Sequence, residues 1–313
     1  MSTEKFQIKE QVPLAPFTSV KVGGPARFFL QATSADEIKA AATWAGGKAL
    51  PVFVLGGGSN LLISDKGYDG LVIRVVDSRV HFSEDGVVGV GTGFSLSRLA
   101  AEAASRSLSG LEFAMGIPGT VGGAIRGNAG AFGGEMKDVV RSVTTLTPDG
   151  SVKTRAADEL DFRYRHSIFK TNTDIILSCE IQLQKGDREE IRALQRERLE
   201  YRRARQPLEL PSFGSTFKNV DFAALDPSLD ERFHFSSVAA NGVVAAGYLI
   251  DRMELKGFSV GGAQVSEKHA NFLINTGEAT AEHFAILIGI IQQKARTVFT
   301  GLHLELEIQF VGF

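Results

Sequence analysis

Residues 110–135, GLEFAMGIPGTVGGAIRGNAGAFGGE, constrain this chain more than any other stretch. The run is dense in glycine, and Glu112 and Arg126 are its only charges before Glu135. So many glycines weaken an ordinary helix or strand, and the run is less polar than an ordinary surface loop. Glycine is needed where backbone turns with positive φ or comes very close to something else. That something is packed chain, in tight turns between buried strands, or a bound cofactor whose anionic groups accept from bare N–H groups. Composition leaves both readings open.

The 313 residues allow two or three domains or one large one. Hydrophobic residues make up 43% and charged residues 22%, as in soluble globular chains. A net charge of −2 gives no argument for a nucleic-acid partner or an anionic membrane surface. Cys179 is the only cysteine, which excludes a disulfide framework and a cysteine metal site and permits a reducing compartment. The opening MSTEKFQIKEQVPL shows no apolar leader region, and the apolar run near residues 284–291 is too short to span a bilayer. A cytoplasmic protein is expected. The six histidines lack ligand spacing, so no metal site is expected. No dinucleotide fingerprint, phosphate-loop motif or G-x-S-x-G elbow occurs.

Residues 13–30 predict short strands broken by Gly23, Gly24 and Pro25. Ser34 and Glu37 make a capping-box pattern before an alanine-rich helix that stops near Gly46. Residues 51–55 predict a buried strand that runs into Gly56, Gly57, Gly58, Ser59 and Asn60, then a strand at 61–63. Further strands are expected at 71–76, 87–90, 139–146 and 175–183, with Ser95 capping a helix between the second and third. Arg163 and Arg165 flank Tyr164, as a solvated edge or an anion clamp. Residues 186–206 predict a charged helix with a solvated face, ended by Pro207, where a domain boundary is placed. Beyond it come a polar cluster at 213–219, a helix at 243–255, strands at 257–275 and an amphipathic helix capped by Thr280. Residues 302–310 predict a closing strand with Glu305 and Glu307 on one face.

Seven segments, in order, resemble the UDP-N-acetylenolpyruvoylglucosamine reductase family. They are TSVKVGGPA (18–26), VLGGGSNLL (54–62), GLEFAMGIPGTVGGAIRGNAG (110–130), YRHS (164–167), GSTFKN (214–219), GGAQVSEKHANFLIN (261–275) and LELEIQFVG (304–312). The resemblance implies an α+β flavoprotein of the vanillyl-alcohol-oxidase-like kind. Two FAD-binding subdomains (1–82 and 83–206), a separate α+β substrate domain (207–300) and a C-terminal strand (301–313) returning to the N-terminal region are expected. It further implies non-covalent FAD, NADPH as co-substrate, and UDP-N-acetylglucosamine-enolpyruvate as substrate of a cytoplasmic monomer. Carried over by position, the FAD residues are Gly56, Gly57, Gly58, Ser59, Asn60, Leu61, Gly116, Ile117, Pro118, Gly119, Thr120, Gly122, Gly123, Asn128 and Gly130. Arg165, Ser215 and Glu307 match the family's catalytic set, with Ser215 as proton donor. Arg202, Arg205, Lys218, Asn219 and Gln264 match substrate contacts. Val220 stands where the family usually has proline.

Overall fold

The computed structural model describes residues 7–313, so the start of the segment read for a leader lies outside the described residues. The fold is α+β. The chain divides into two compact units, one of the described residues up to Val12 with 26–58 and 69–202, the other of residues 13–25, 59–68 and 203–313.

The two larger sheets of the first unit each have their own core. One sheet is ordered Lys9–Pro13, Pro25–Ala32, Tyr68–Val75, Val52–Leu55, its last two strands parallel. The helix Ala35–Gly46 buries Ile38, Ala41 and Ala45 in the same core as Leu30, Leu71 and Ile73. Ser34 starts it by accepting from the Glu37 amide, and the Glu37 carboxylate accepts from the Thr33 amide at 2.6 Å. The other sheet is antiparallel, ordered Val152–Ala156, Val140–Leu146, Ile175–Gln182, Val87–Gly91, Val80–Phe82. Leu96, Leu99, Ala100 and Ala103 of the helix Leu96–Ser105 pack on it with Val88, Val143 and Ile181. Full burial of such side chains contributes roughly 1.5–3 kcal/mol each.

The second unit centres on an antiparallel sheet ordered Ser212–Ser215, Phe272–Asn275, Ala263–Val265, Ser259–Val260. The helix Ala281–Val298 buries Phe284, Leu287, Ile288, Ile291 and Ala295 as its stripe predicts, and Phe284 meets Phe213 edge-on at 4.9 Å. Thr280 caps it, and the Asp65 carboxylate accepts from the Ala281 and Glu282 amides at 2.9 and 3.1 Å.

Several expectations are corrected. Between Pro13 and Pro25 the chain forms a 3-10 turn and loops, not strands. The helix expected at 243–255 is confined to Ala246–Arg252, because Val243–Val244 pairs with Val220–Asp221. Residues 302–308 form no strand; only Gln309–Val311 is extended, parallel to Leu61–Ile63. The alternation of Glu305 and Glu307 therefore defines no strand face. The glycine-dense run itself holds a short helix, Val121–Gly127. Its capping offsets the helix-weakening glycines: Thr120 accepts from the Gly123 amide, Asn128 closes the end in the left-handed region, and Val121 and Ile125 are buried.

Candidate active site

Two glycine-bearing loops meet in the first unit. A Cβ on Gly57 would stand 2.6 Å from the Gly119 Cα, and one on Gly56 would stand 2.5 Å from Thr120 Oγ1. At Gly57 the backbones touch, so that position takes no side chain; at Gly56 the neighbour is the Thr120 side chain, which would have to shift. Gly58, Gly116 and Gly119 have φ of 63°, 77° and 109°, a region costing L-residues roughly 1–2 kcal/mol. Among the described residues, the amides of Gly57, Gly119 and Thr120 have no hydrogen-bond partner. Over Gly123 the space is open: a Cβ there meets only Thr120 Oγ1, at 3.8 Å. Bare amides beside open space suit a pyrophosphate, so residues 56–58 and 116–123 fit the cofactor that the resemblance implies.

The packing reading of the glycine run holds for part of it. Gly122 belongs to packing: a Cβ there would lie 2.8 Å from Thr92 Cβ, and its amide donates to the Thr92 carbonyl. Gly134 likewise lies against Phe113. The Gly116 amide donates to Ser97 Oγ at 3.0 Å, and the Ile117 amide to the Ala114 carbonyl, which fixes the turn before Pro118. Ser97 was not legible as a site residue, since its only sequence signal is a place on a helix.

Arg202 sits over this turn. It is nine-tenths buried, its Nε donates to the Met115 carbonyl at 3.1 Å, and its buried Nη2 has no partner among the described residues. Burial, then the Arg198 charge, push its guanidinium below the ordinary arginine value. A buried cation with a donor to spare is suited to an anion. Part of the helix Arg188–Arg205 is thus not the solvated face its charge run suggests, and Arg205 is the exposed end of it.

Arg165 stands at the tip of a two-residue turn in which the Arg163 and His166 amides each donate to the other's carbonyl. Its φ is 52°, and its Nη2 donates to the Gly130 carbonyl at 3.0 Å. A non-glycine residue in that region is uncommon and marks a backbone held by its surroundings. Asp161 holds the turn through Arg163 at 2.8 Å and His166 at 3.1 Å. Asn128 is fully buried, its amide donating to Glu135 at 2.5 Å and to the Arg163 carbonyl, its own oxygen accepting from the Lys137 amide. That side chain orders the protein; it has no donor left over.

In the second unit the segments of Ser215 and Glu307 lie side by side. The Glu307 amide donates to the Thr216 carbonyl at 2.9 Å and the Lys218 amide to the Glu305 carbonyl at 2.8 Å. Lys218 Nζ meets the Glu305 carboxylate at 2.6 Å. Asn60 Nδ2 donates to the Glu307 carbonyl at 2.9 Å, and Leu61 enters the pairing with Gln309. Ser59 begins this unit's part of the glycine loop. The half-buried Ser215 hydroxyl has no hydrogen-bond partner among the described residues. Asn219 Oδ1 accepts from the Ala246 amide at 3.2 Å, at the start of a helix. Gln264 Nε2 donates to the Gly257 carbonyl and Ser259 Oγ, both at 3.1 Å, inside its own hairpin.

Buried titratable groups elsewhere are quiet. Burial pushes the Cys179 thiol up to about 12, leaving no thiolate at neutral pH. Burial also pushes the His269 imidazole down, and its Nδ1 accepts from the Asn271 amide at 3.2 Å. Among the described residues no group of histidine, cysteine and acid side chains could hold a metal ion.

Two family models match the chain. Residues 26–155 match the family model described as an FAD binding domain, and residues 206–311 match that described as UDP-N-acetylenolpyruvoylglucosamine reductase, C-terminal domain. A UDP-N-acetylenolpyruvoylglucosamine reductase of Syntrophomonas wolfei is 41% identical over 99% of this chain and 96% of its own length. One of Alkaliphilus oremlandii is 40% identical over 96% of this chain and 92% of its own. The crystal structure of the Thermus caldophilus UDP-N-acetylenolpyruvylglucosamine reductase superposes with a TM-score of 0.78 at 33% identity, covering 98% of this chain and 99% of that one.

Proposed function

The chain belongs to the UDP-N-acetylenolpyruvoylglucosamine reductase family, and from that premise we propose that it reduces UDP-N-acetylglucosamine-enolpyruvate to UDP-N-acetylmuramate with NADPH, in peptidoglycan precursor synthesis. The protein is an FAD-containing oxidoreductase. Bound FAD supplies a two-electron carrier between NADPH and C3 of the enolpyruvyl group. The chain's own residues must then stabilise the charge that develops on the C2 carboxyl-enolate and deliver a proton to C2.

Ser215 is assigned the proton delivery. Serine is a weak acid in water, so it needs a nearby cation to favour the alkoxide. Lys218, three residues on and held by Glu305, suits that work. Arg165 is assigned the developing carboxyl charge, which a planar guanidinium matches in two directions. Glu307 completes the set; near an enolate its carboxylate helps only if protonated or oriented by a cation. Arg202 with its unpartnered nitrogen, Arg205, Lys218, Asn219 and Gln264 are assigned to substrate. The FAD pyrophosphate is assigned to residues 56–61 and 116–123, with Asn128 and Gly130 near the flavin. A division at residues 82, 206 and 300, a monomer and a cytoplasmic location belong to the same proposal. Among the described residues, no helix is long and apolar enough to cross a membrane.

The observation that carries this reading is the Ser215 hydroxyl, which has no partner among the described residues and stands next to a Thr216–Phe217 backbone whose donors and acceptors are all bonded. Rapid-mixing absorbance of the purified protein tests it. NADPH should bleach the flavin band, and the enolpyruvyl nucleotide should restore it much faster than air. Recovery no faster than in air would point to an oxidoreductase of another substrate. Yellow protein that NADPH leaves unchanged would point to a binding module. Acid precipitation should release the colour, since no histidine or cysteine lies in residues 56–61 or 110–134 to attach it.

A further inference from the structure

Past Ser215 the pairing with Phe272–Asn275 changes character. Ser212 faces Ile274 and Ser215 faces Phe272, with the register broken between them. Gly214, at φ 77°, sits at the break, and a bulge of this kind re-aims the next side chain. From Thr216 on, the partner is one residue. The Thr216 amide donates to the Asn271 carbonyl, the Phe217 amide to Asn271 Oδ1, and Asn271 Nδ2 to the Phe217 carbonyl, each at 2.9 Å. The side-chain amide of Asn271 stands in for a peptide group and extends the ladder by one step. Asn271 and Phe217 are both buried, so no water can replace these bonds. His269 Nδ1 in turn fixes the Asn271 amide.

On its other edge the same segment is held through the Glu307 and Lys218 amides. Every backbone donor and acceptor of Thr216 and Phe217 therefore has a named partner. The Ser215 side chain projects from the residue between the Gly214 bulge and this locked pair. Among the described residues its hydroxyl finds no partner to set its position. The position is set by the backbone on either side, and Asn271 supplies three of the five bonds that hold Thr216–Lys218.

We propose that Asn271 is a positioning residue for the proton-delivering hydroxyl of Ser215, acting through the Thr216–Phe217 backbone. The proposal rests on the reading of Ser215 given above. It assigns Asn271 no contact with substrate.

The test uses flavin-loaded full chain and follows the flavin band in both half-reactions. In Asn271→Ala, bleaching by NADPH should stay within ~2-fold of the parent, while recovery at saturating nucleotide should slow by ~10-fold or more, as expected for a misplaced reacting group. In a Ser215→Ala background the same substitution should change recovery by less than ~3-fold, because the group it positions is gone. Asn271→Ser, whose hydroxyl can hold one of the two Phe217 groups, should fall between Asn271→Ala and the parent, and it carries the test if the alanine chain does not fold. Equal slowing of both half-reactions would overturn the proposal, as would full slowing on top of Ser215→Ala. Loss of fold in both variants would also overturn it, by making Asn271 a stability residue. If Ser215→Ala itself recovers at the parent rate, the reading of Ser215 falls and this proposal with it. If Ser215→Ala is slow and Asn271→Ala is not, this proposal falls alone.

Discussion

The glycine cradle of the first unit and the serine segment of the second are built by opposite means. The cradle is made by leaving side chains out. Gly57 and Gly119 touch backbone to backbone, and amides are left unpartnered beside open space. The serine segment is made by filling the backbone positions of Thr216 and Phe217 beside one hydroxyl, with Asn271 on one edge and residues 305–307 on the other. One site fails when atoms are added, the other when they are removed. That difference decides which substitutions inform about each.

The largest effect is expected from subtraction at Ser215. Ser215→Ala should leave flavin content and bleaching by NADPH near normal and slow recovery with the nucleotide by ~10²–10⁴-fold. Both half-reactions falling together would show that the serine merely shapes a turn, and the contrast between the two sites would be lost. Addition at Gly57 comes next. The Cβ of Gly57→Ala would press on the Gly119 Cα, and overpacking of ~1–3 kcal/mol should weaken flavin binding by ~10–100-fold, read by titration of flavin into stripped protein.

Gly123→Ala sharpens the contrast further, because its two effects should have opposite signs. Gly123 is helical and meets no protein atom closer than 3.8 Å, so alanine should raise the stability of the flavin-free protein by ~0.5–1 kcal/mol in denaturant melts. The same methyl enters the open space and should lower flavin affinity. Full flavin occupancy in the larger Gly123→Val would show that the space is not used.

The smallest effect concerns acid. The folded imidazole of His269 lies below its ordinary value of 6.5, through burial first. The unfolded chain therefore takes up the proton first as pH falls. Stability from this group is complete above 6.5 and is lost as pH drops below 6.5 towards the folded value. The denaturant midpoint should fall between pH 7.5 and 5.5 by more in the parent than in His269→Gln, where no proton is taken up. Equal falls would place the acid sensitivity elsewhere.

Much of this was legible because it depends on local rules. Caps at Ser34, Ser95 and Thr280 mark their helices in sequence and start them in the structure. The glycine run announces a backbone-made site, although composition cannot tell Gly122, packed on Thr92, from Gly123, open to space. The helix Val121–Gly127 was hidden because capping and burial outweigh glycine's poor propensity. The resemblance names Arg202, but its burial was hidden in a charge run, because only tertiary packing over Met115 produces it. The alternation in residues 302–308 suggested a strand, but a strand needs a ladder, and only Leu306 finds a bridge there, to Phe217. Asn271 is one polar residue in a mostly apolar run. Nothing local says that its amide serves a residue 54 positions back.

The parallel pairing of Gln309–Val311 with Leu61–Ile63 has a consequence for how the protein is made. The second unit collects residues 13–25 and 59–68 and joins them to residues 203–313, made much later. On a ribosome adding ~5–20 residues per second, Leu61–Ile63 waits on the order of ten to fifty seconds for its neighbour strand to be synthesised. The early pieces must stay soluble and uncommitted through that interval, and the second unit can close only once residues 309–311 have been made.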